Sequence, residues 1–146
     1  SGEIEHLLEW HDAKAGDTFF IPAGVVHAIG AGLALCEIQQ HSDVTYRIYD
    51  YGRPRELHLN DALRVSRRGP HAARQESTQG PLVSCPYFVT EKHNVQGTLR
   101  GSDDSWIVVL EGQPSIAGET AAPGQVWQAA EVIGDATILR VLTPAA

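Results

Sequence analysis

His27 is the residue best placed to do chemistry, because it follows a proline–glycine turn in the segment 22–27, Pro-Ala-Gly-Val-Val-His. Imidazole is a common metal ligand, and a turn at the end of a strand would hold the ring rigidly and direct it back toward the interior of a sheet. The alternative is a structural histidine whose ring nitrogens are hydrogen-bonded within the protein. The turn and the histidine by themselves leave both interpretations open.

Glu37 is a second candidate, because it lies inside the apolar run 35–38, where a carboxylate is costly to bury unless it is paired. If this run is a strand, alternation puts Glu37 and Gln39 on one face, and we expect that face to line a cavity beside His27. A carboxylate in such a cavity can act as a general base. An ion pair between Glu37 and Arg47 is the alternative.

Arg47 and Asp43 are the remaining candidates, and both lie close to the run 45–49, Thr-Tyr-Arg-Ile-Tyr. A fixed guanidinium can bind a substrate or stabilise negative charge that develops on one of its oxygen atoms. The alternative for Arg47 is a structural ion pair with Asp43 or Asp50 on the surface of a sheet.

The elements that must position these side chains are short runs rich in β-branched and aromatic residues, separated by glycine and proline turns. They are predicted as strands at residues 18–21, 33–38, 45–49, 106–110 and 136–142. Many short strands at this spacing are typical of a sandwich or barrel, so we predict an all-β fold. One short helical turn is expected at residues 62–65, capped by Asn60 or Asp61.

The chain is predicted to divide near its middle. Residues 66–81 contain almost no bulky apolar side chains and are predicted to link a first unit, residues 1–65, to a second, residues 82–146. The order of glycine, strand, small-residue turn and second strand occurs in both units. A leading strand, residues 107–110, precedes this order in the second unit only, so we expect the second unit to be whole and the first to be partial.

Composition excludes several classes of protein. The 146 residues are 42% hydrophobic and 20% charged, as in a soluble globular protein, and no apolar run approaches the roughly 18 residues of a membrane span. The net charge of −7 disfavours nonspecific nucleic-acid binding, which needs cations against phosphate. Two cysteines, Cys36 and Cys85, do not form a dense disulfide framework, and we expect free thiols in a cytoplasmic protein.

Residues 16–58 resemble type I mannose-6-phosphate isomerase, a member of the cupin superfamily. Pro-Ala-Gly-x-x-His at 22–27 is typical of cupins in general. Glu-x-Gln-x-x-Ser-Asp-x-Thr-Tyr-Arg at 37–47, continued by Ile-Tyr-Asp-Tyr-Gly-Arg at 48–53, narrows the resemblance to this isomerase. The rest of the chain resembles the family's carboxyl-terminal cupin more weakly.

The resemblance implies two cupin jelly rolls, a partial catalytic one followed by a complete one without metal. It implies a zinc-dependent aldose–ketose isomerase that interconverts mannose 6-phosphate and fructose 6-phosphate through an enediol. His27 would be a zinc ligand, Arg47 would lie in the active site, and Glu37 and Asp43 would face the sugar pocket. The implied partner is a small sugar phosphate, with no nucleic acid and no membrane, and the oligomeric state is not predicted.

The family's other zinc ligands lie in Gln-x-His and Lys-Pro-Glu patterns upstream of the position of His27, and this chain has neither pattern before His27. One imidazole does not hold a catalytic zinc, which usually has about three protein ligands. We therefore expect a carboxyl-terminal portion that is inactive alone. The alternative function is a non-catalytic cupin module that binds a sugar or a metal, and a cupin linked to a nucleotidyltransferase is a further alternative that the run 37–47 disfavours.

Overall fold

The computed structural model describes residues 2–72, 74–75 and 81–144. The chain divides into two compact units, residues 1–74 and 75–146. A 3-10 helix spans Gly2–Leu7 and the α-helix α1 spans Leu59–Val65. The strands are β1 (Thr18–Phe19), β2 (Arg74–Gln75), β3 (Val83–Ser84), β4 (Val89–Val95), β5 (Thr98–Arg100), β6 (Trp106–Gly112), β7 (Ser115–Ile116), β8 (Glu119–Thr120), β9 (Val126–Gln128), β10 (Glu131–Ile133) and β11 (Ala136–Leu142).

The second unit is built from two antiparallel sheets. One has the strand order β3-β4-β11-β6-β9 and the other has the order β5-β10-β7-β8. The long strand β11 pairs with β4 on one side and with β6 on the other, with a bulge between Thr137 and Ile138 on the β6 side. These sheets, with a single α-helix in the described part of the chain, confirm the all-β prediction and fit a cupin-like fold.

The buried cluster of the second unit contains side chains from one face of each sheet, and Val108, Leu139 and Val141 are also buried on the other face of the five-stranded sheet. Ile107 and Val109 of β6 and Ile138 of β11 are fully buried and cluster with residues of the other sheet, Ile116 and Val132. Alternation along β6 and β11 explains this choice, because every second side chain of a strand points to the same face. β-branched side chains pack well on such a surface, and the sequence supplies them at these positions.

The first unit has far less regular structure than the sequence predicts. β1 covers only part of the predicted strand 18–21, and it pairs with β2 in a two-stranded sheet. The strands predicted at 33–38 and 45–49 are wrong, since these residues form neither strand nor helix. Leu33 and Leu35 are 49% and 54% exposed. Residues 33–38 have strand-forming side chains but no neighbouring strand to pair with among the described residues. A strand without a hydrogen-bonded neighbour is not stable in water. The partial first cupin stays a prediction.

Helix α1 is longer than predicted and begins earlier. Its N-cap is His58, not Asn60 or Asp61, and no side chain caps it. The His58 N–H donates to the Arg47 carbonyl at 2.7 Å, while the His58 carbonyl accepts the Ala62 N–H at 2.8 Å. Because this contact with residue 47 fixes the backbone of His58, the helix starts immediately after it.

The segment predicted as a linker, residues 66–81, is bound in part to the first unit. The Arg67 N–H donates to the Gly24 carbonyl at 2.8 Å, and the His71 ring lies 3.1 Å from the Phe20 carbonyl. Residues 73 and 76–80 of that segment lie outside the described residues. Within the described part of the chain, no helix is both long and apolar enough to cross a membrane. Cys36 and Cys85 are free thiols.

Candidate functional site

The turn before His27 is built around Gly24. The Val25 N–H donates to the Pro22 carbonyl at 3.2 Å, and Gly24 has a φ of +87°. A Cβ at Gly24 would lie only 2.7 Å from the Val65 carbonyl oxygen, at the end of α1. Glycine is therefore required at position 24 for two reasons. Its backbone is left-handed, and the segment at the end of α1 approaches too closely to leave room for a Cβ.

The ring of His27 is exposed and its Nδ1 lies 3.0 Å from the Val25 carbonyl oxygen. A carbonyl can only accept, so Nδ1 must carry the proton in this contact. In the neutral ring, Nε2 is then left with a free lone pair. A histidine that ligates a metal usually donates its other ring N–H to a carbonyl or carboxylate in this way. The geometry suits His27 for ligation through Nε2.

Glu37 and Asp43 are both exposed and lie in irregular backbone. The expectation that alternation directs Glu37 and Gln39 into a barrel beside His27 is wrong for this structure, because residues 33–38 do not form a strand. Within the described residues, neither Glu37 nor Asp43 forms an ion pair with Arg47. The described contacts thus do not bring the four predicted site residues together.

Arg47 is half-buried, and its backbone is held by His58. The Arg47 N–H donates to His58 Nδ1 at 3.3 Å, and the His58 N–H returns a bond to the Arg47 carbonyl. The Tyr46 ring packs against the His58 ring with centroids 5.8 Å apart. These contacts position the backbone of Arg47 and leave its guanidinium available for an anion.

An arginine cluster around Asp50 is the strongest charged arrangement in the first unit. Asp50 is only 6% exposed and accepts two bonds from Arg55, Nε to Oδ2 at 2.5 Å and NH2 to Oδ1 at 2.6 Å. Arg53 adds a contact of 2.8 Å from its NH2 to Oδ1. From the sequence, Asp50 is expected only as an alternative partner of Arg47. The signal that it missed is an acid with arginines three and five positions later, around a tight turn at Gly52.

The arginines hold the pKa of Asp50 below its ordinary range. The hydrogen bonds from Arg55 are the main cause, burial opposes them, and the charges of Arg53, Arg55 and Arg47 add to the lowering. Asp50 in turn raises the pKa of Arg55. The charge of Arg47 contributes to this lowering, but no ion pair between Arg47 and Asp50 occurs within the described residues, so the structural alternative for Arg47 stays open. Arg47, Arg53 and Arg55 together carry more positive charge than the Asp50 carboxylate neutralises.

The described residues do not fit a zinc site by themselves. In residues 2–72, 74–75 and 81–144, no group of three or more His, Cys, Asp or Glu side chains lies close enough together to hold a metal ion. His27 supplies one suitable nitrogen, whereas a catalytic zinc usually has about three protein ligands.

Similarity to known proteins then extends over most of the chain. It is 37% identical over 132 residues to a mannose-6-phosphate isomerase of Streptococcus mutans, covering 80% of this chain and 42% of the relative. It is 37% identical over 140 residues to the mannose-6-phosphate isomerase ManA of Bacillus subtilis, covering 84% of this chain and 44% of the relative. The chain is homologous to mannose-6-phosphate isomerases. It spans less than half the length of these curated relatives.

No protein-family model matches the chain, and no solved structure matches it. The functional comparison therefore rests on similarity to curated isomerases, of which two are named above. Their aligned regions, about 80% of this chain, are too long to be confined to either of its two units.

Proposed function

We propose that this chain is part of a zinc-dependent mannose-6-phosphate isomerase that interconverts mannose 6-phosphate and fructose 6-phosphate. The observation that carries the proposal is the 37% identity over 132 residues to the isomerase of Streptococcus mutans. Identity of this extent in a chain of 146 residues supports a shared reaction more strongly than the cupin-like fold does, since one fold hosts many functions.

The reaction moves a proton between adjacent carbon atoms of the sugar. A base removes the proton from carbon 2 of the aldose while the carbonyl oxygen on carbon 1 takes up a proton, which gives an enediol. The carbon 2 hydroxyl then loses its proton as the base returns a proton to carbon 1, which gives the ketose. Glu37 or Asp43 would act as the base, and Arg47 would stabilise the oxygen on which negative charge develops. The surplus positive charge around Asp50 supports this role for Arg47.

His27 would contribute one zinc ligand through Nε2, which its contact with Val25 leaves free. When bound, zinc would polarise the sugar carbonyl as a Lewis acid. The described residues do not complete a zinc site, and we propose that the other ligands come from polypeptide outside this chain. We therefore also propose that the 146-residue chain is inactive alone.

The test compares this chain with a longer polypeptide that contains it and has the full length of the relatives. Both are purified from a host without its own isomerase, and conversion of mannose 6-phosphate is measured together with bound zinc. We expect activity and zinc in the longer protein and neither in the chain. Rapid conversion by the chain alone would contradict the proposed inactivity. A full-length protein that binds zinc or the sugar phosphate but converts nothing would favour the alternative, a non-catalytic binding module.

A further inference from the structure

Arg140 is a buried cation in the centre of β11, in the second unit. Only 7% of the residue is exposed, and its Nε and NH2 atoms are buried with no hydrogen-bond partner in the described part of the protein. Burying a charge is costly unless an opposite charge and hydrogen bonds compensate for it. A guanidinium in this position therefore needs a partner that residues 2–72, 74–75 and 81–144 do not supply.

The unpaired atoms define what that partner must look like. Nε and NH2 form one edge of the planar guanidinium, and two parallel N–H groups on this edge fit the two oxygens of a carboxylate or phosphate. Arg55 uses the same two atoms for Asp50, at 2.5 and 2.6 Å. In Arg140 the corresponding edge is vacant, so an oxyanion is the complementary group.

Other unpaired donors lie on the same face of the sheet. The strand registers place Trp127, Ile107, Arg140 and Glu91 in one row across β9, β6, β11 and β4. Ile107 belongs to the core, so alternation puts this row on the core face. Trp127 Nε1 on this row is buried without a partner, and so is the hydroxyl of Ser105, two residues before Ile107.

These unpaired groups share one chemical property. An indole N–H and a guanidinium can only donate, and a serine hydroxyl can donate as well. The acid opposite Arg140 in register, Glu91, has its Oε2 3.0 Å from Nε2 of His93, and within the described residues no ion pair joins it to Arg140. In the described part of the chain, the Nε and NH2 groups of Arg140 therefore have no acceptor within hydrogen-bonding distance.

Gly101 provides the space that the guanidinium occupies. A Cβ on Gly101 would lie 1.7 Å from NH2 and 2.1 Å from Cζ of Arg140, so only glycine allows the guanidinium to lie there. Gly101 follows β5, and residues 101–104 are exposed and form neither helix nor strand. Gly101, at the start of this exposed loop, therefore lies directly against the guanidinium of Arg140.

We propose that the second unit binds a small-molecule oxyanion, a phosphate or carboxylate group, at the Nε–NH2 edge of Arg140, next to Gly101. Trp127 lies in the same row of the sheet, and its unpaired Nε1 would supply a further hydrogen bond. All residues of this site belong to the second unit, and the proposal does not depend on the proposed isomerase activity.

To test this proposal, the 146-residue chain is titrated with inorganic phosphate and, separately, with acetate. Calorimetry measures the heat of binding, and the ¹⁵N-indole resonance of Trp127 reports on changes around its Nε1. We expect saturable binding of at least one anion and a shift of the Trp127 signal. Saturation by phosphate alone would assign a phosphoryl group as the ligand, and saturation by acetate would assign a carboxylate.

Arg140→Met should fold, because replacing a buried charge by an apolar side chain of similar length is often neutral or stabilising. It should weaken anion binding about tenfold or more, since it removes two hydrogen bonds from a charged donor. Arg140→Lys should also bind weakly, because it keeps the charge and loses the planar edge. The matched control, Arg100→Met, removes an exposed arginine paired with Glu131 and should leave binding unchanged.

Three results would overturn the proposal. The first is no saturable binding of either anion, and the second is equal binding by wild type and Arg140→Met. The third is strong destabilisation of a Glu91→Gln variant in anion-free buffer, together with no anion binding by the wild type. This result would show that Glu91 is the partner of Arg140 in solution.

Discussion

Asp50 is the residue with which several arginine side chains of the first unit interact. Its carboxylate is nearly buried and is held by Arg55 and Arg53, with a further contribution from the charge of Arg47. Asp50 is the buried member of these pairs, whereas the side chains of Arg53 and Arg55 are 59% and 46% exposed, so losing the carboxylate removes the hydrogen bonds that compensate for its burial. The stability of this segment should therefore depend on the ionisation of Asp50.

Asp50→Asn should lower the melting temperature of the chain at pH 7 and make it less sensitive to acid. The folded pKa of Asp50 lies below its usual value of about 3.9. Its contribution to stability is therefore present above about pH 4 and is lost as the pH falls through the lowered folded pKa. Thermal unfolding at pH 7 and at pH 3, followed by tyrosine near-ultraviolet circular dichroism, measures both effects. Asp43→Asn, at an exposed carboxylate, is the control, and an equal effect of the two variants would contradict the role of Asp50.

Arg47→Ala should lower turnover in the full-length isomerase by about 10²-fold or more, which is about 3 kcal/mol, because a donor to the developing oxyanion is lost. Arg47→Lys should also be poor, since an ammonium does not reproduce the planar guanidinium. Turnover and bound zinc are measured together, and zinc should be retained in both variants. His27→Ala is the comparison, because it should lose zinc first and activity as a consequence. Full turnover of Arg47→Ala would show that the arginine is structural.

At the scale of elements, the turn at Gly24 connects the segment before His27 to the end of α1. The Gly24 carbonyl accepts the Arg67 N–H, and the space above its Cα is filled by the Val65 carbonyl. The turn sequence alone indicates a glycine with left-handed backbone. The close approach of residues 65–67 is a tertiary contact, and it makes any larger residue at position 24 doubly unfavourable.

Gly24→Ala should destabilise the first unit by about 2 kcal/mol or more, because it combines left-handed strain of about 1–2 kcal/mol with a steric clash. Gly32→Ala is the matched control. Gly32 has a similar φ of +80°, but a Cβ there would meet nothing within 4 Å. Urea unfolding of both variants gives the difference in the free energy of unfolding, and amide exchange at Arg67 reports on the hydrogen bond to Gly24. Equal destabilisation by the two substitutions would show that the contact with Val65 is not formed.

Ile138→Ala should destabilise the second unit by about 2–5 kcal/mol, because it removes a fully buried side chain from the cluster between the two sheets. Ile133→Ala is the control, since Ile133 is 45% exposed on β10. Urea denaturation followed by far-ultraviolet circular dichroism measures both variants. A loss at position 133 as large as that at position 138 would place the core elsewhere.

At the scale of the whole molecule, ordered hydrogen bonding is concentrated in the second unit. The four-stranded and five-stranded sheets and the buried cluster lie there, whereas the first unit has α1, the 3-10 helix and the short strand β1. Local stability follows the number of buried contacts and paired backbone groups. The two units should therefore differ in how often their backbones open.

Hydrogen exchange should show this difference directly. Amides of β11, which pairs on both sides, should exchange orders of magnitude more slowly than those of residues 28–43, which form no helix or strand. Exchange followed by mass spectrometry at pH 7 resolves the two regions. Comparable protection in both regions would mean that the first unit is as firmly ordered as the second.

The sequence by itself determined the second unit closely and the first only in part. Residues 136–142 were predicted as a strand and form β11, because their β-branched side chains match a sheet that the same unit completes. Residues 33–38 carry a similar pattern and form no strand, because a strand exists only with a neighbour that accepts its hydrogen bonds. Trp106, at the start of the predicted strand 106–110, is 46% exposed, and it lies on the face of β6 opposite to the buried Ile107.

The same distinction holds for the candidate sites. The motifs at 22–27 and 37–47 pointed to the isomerases, and the similarity to these enzymes confirms the family resemblance. Only the tertiary structure showed that Asp50 forms ion pairs with Arg53 and Arg55. It also showed that Arg140 is buried next to Gly101, with one edge of its guanidinium unpaired. Such pairings depend on segments that approach each other after folding, and residue order alone does not specify the distance between their side chains.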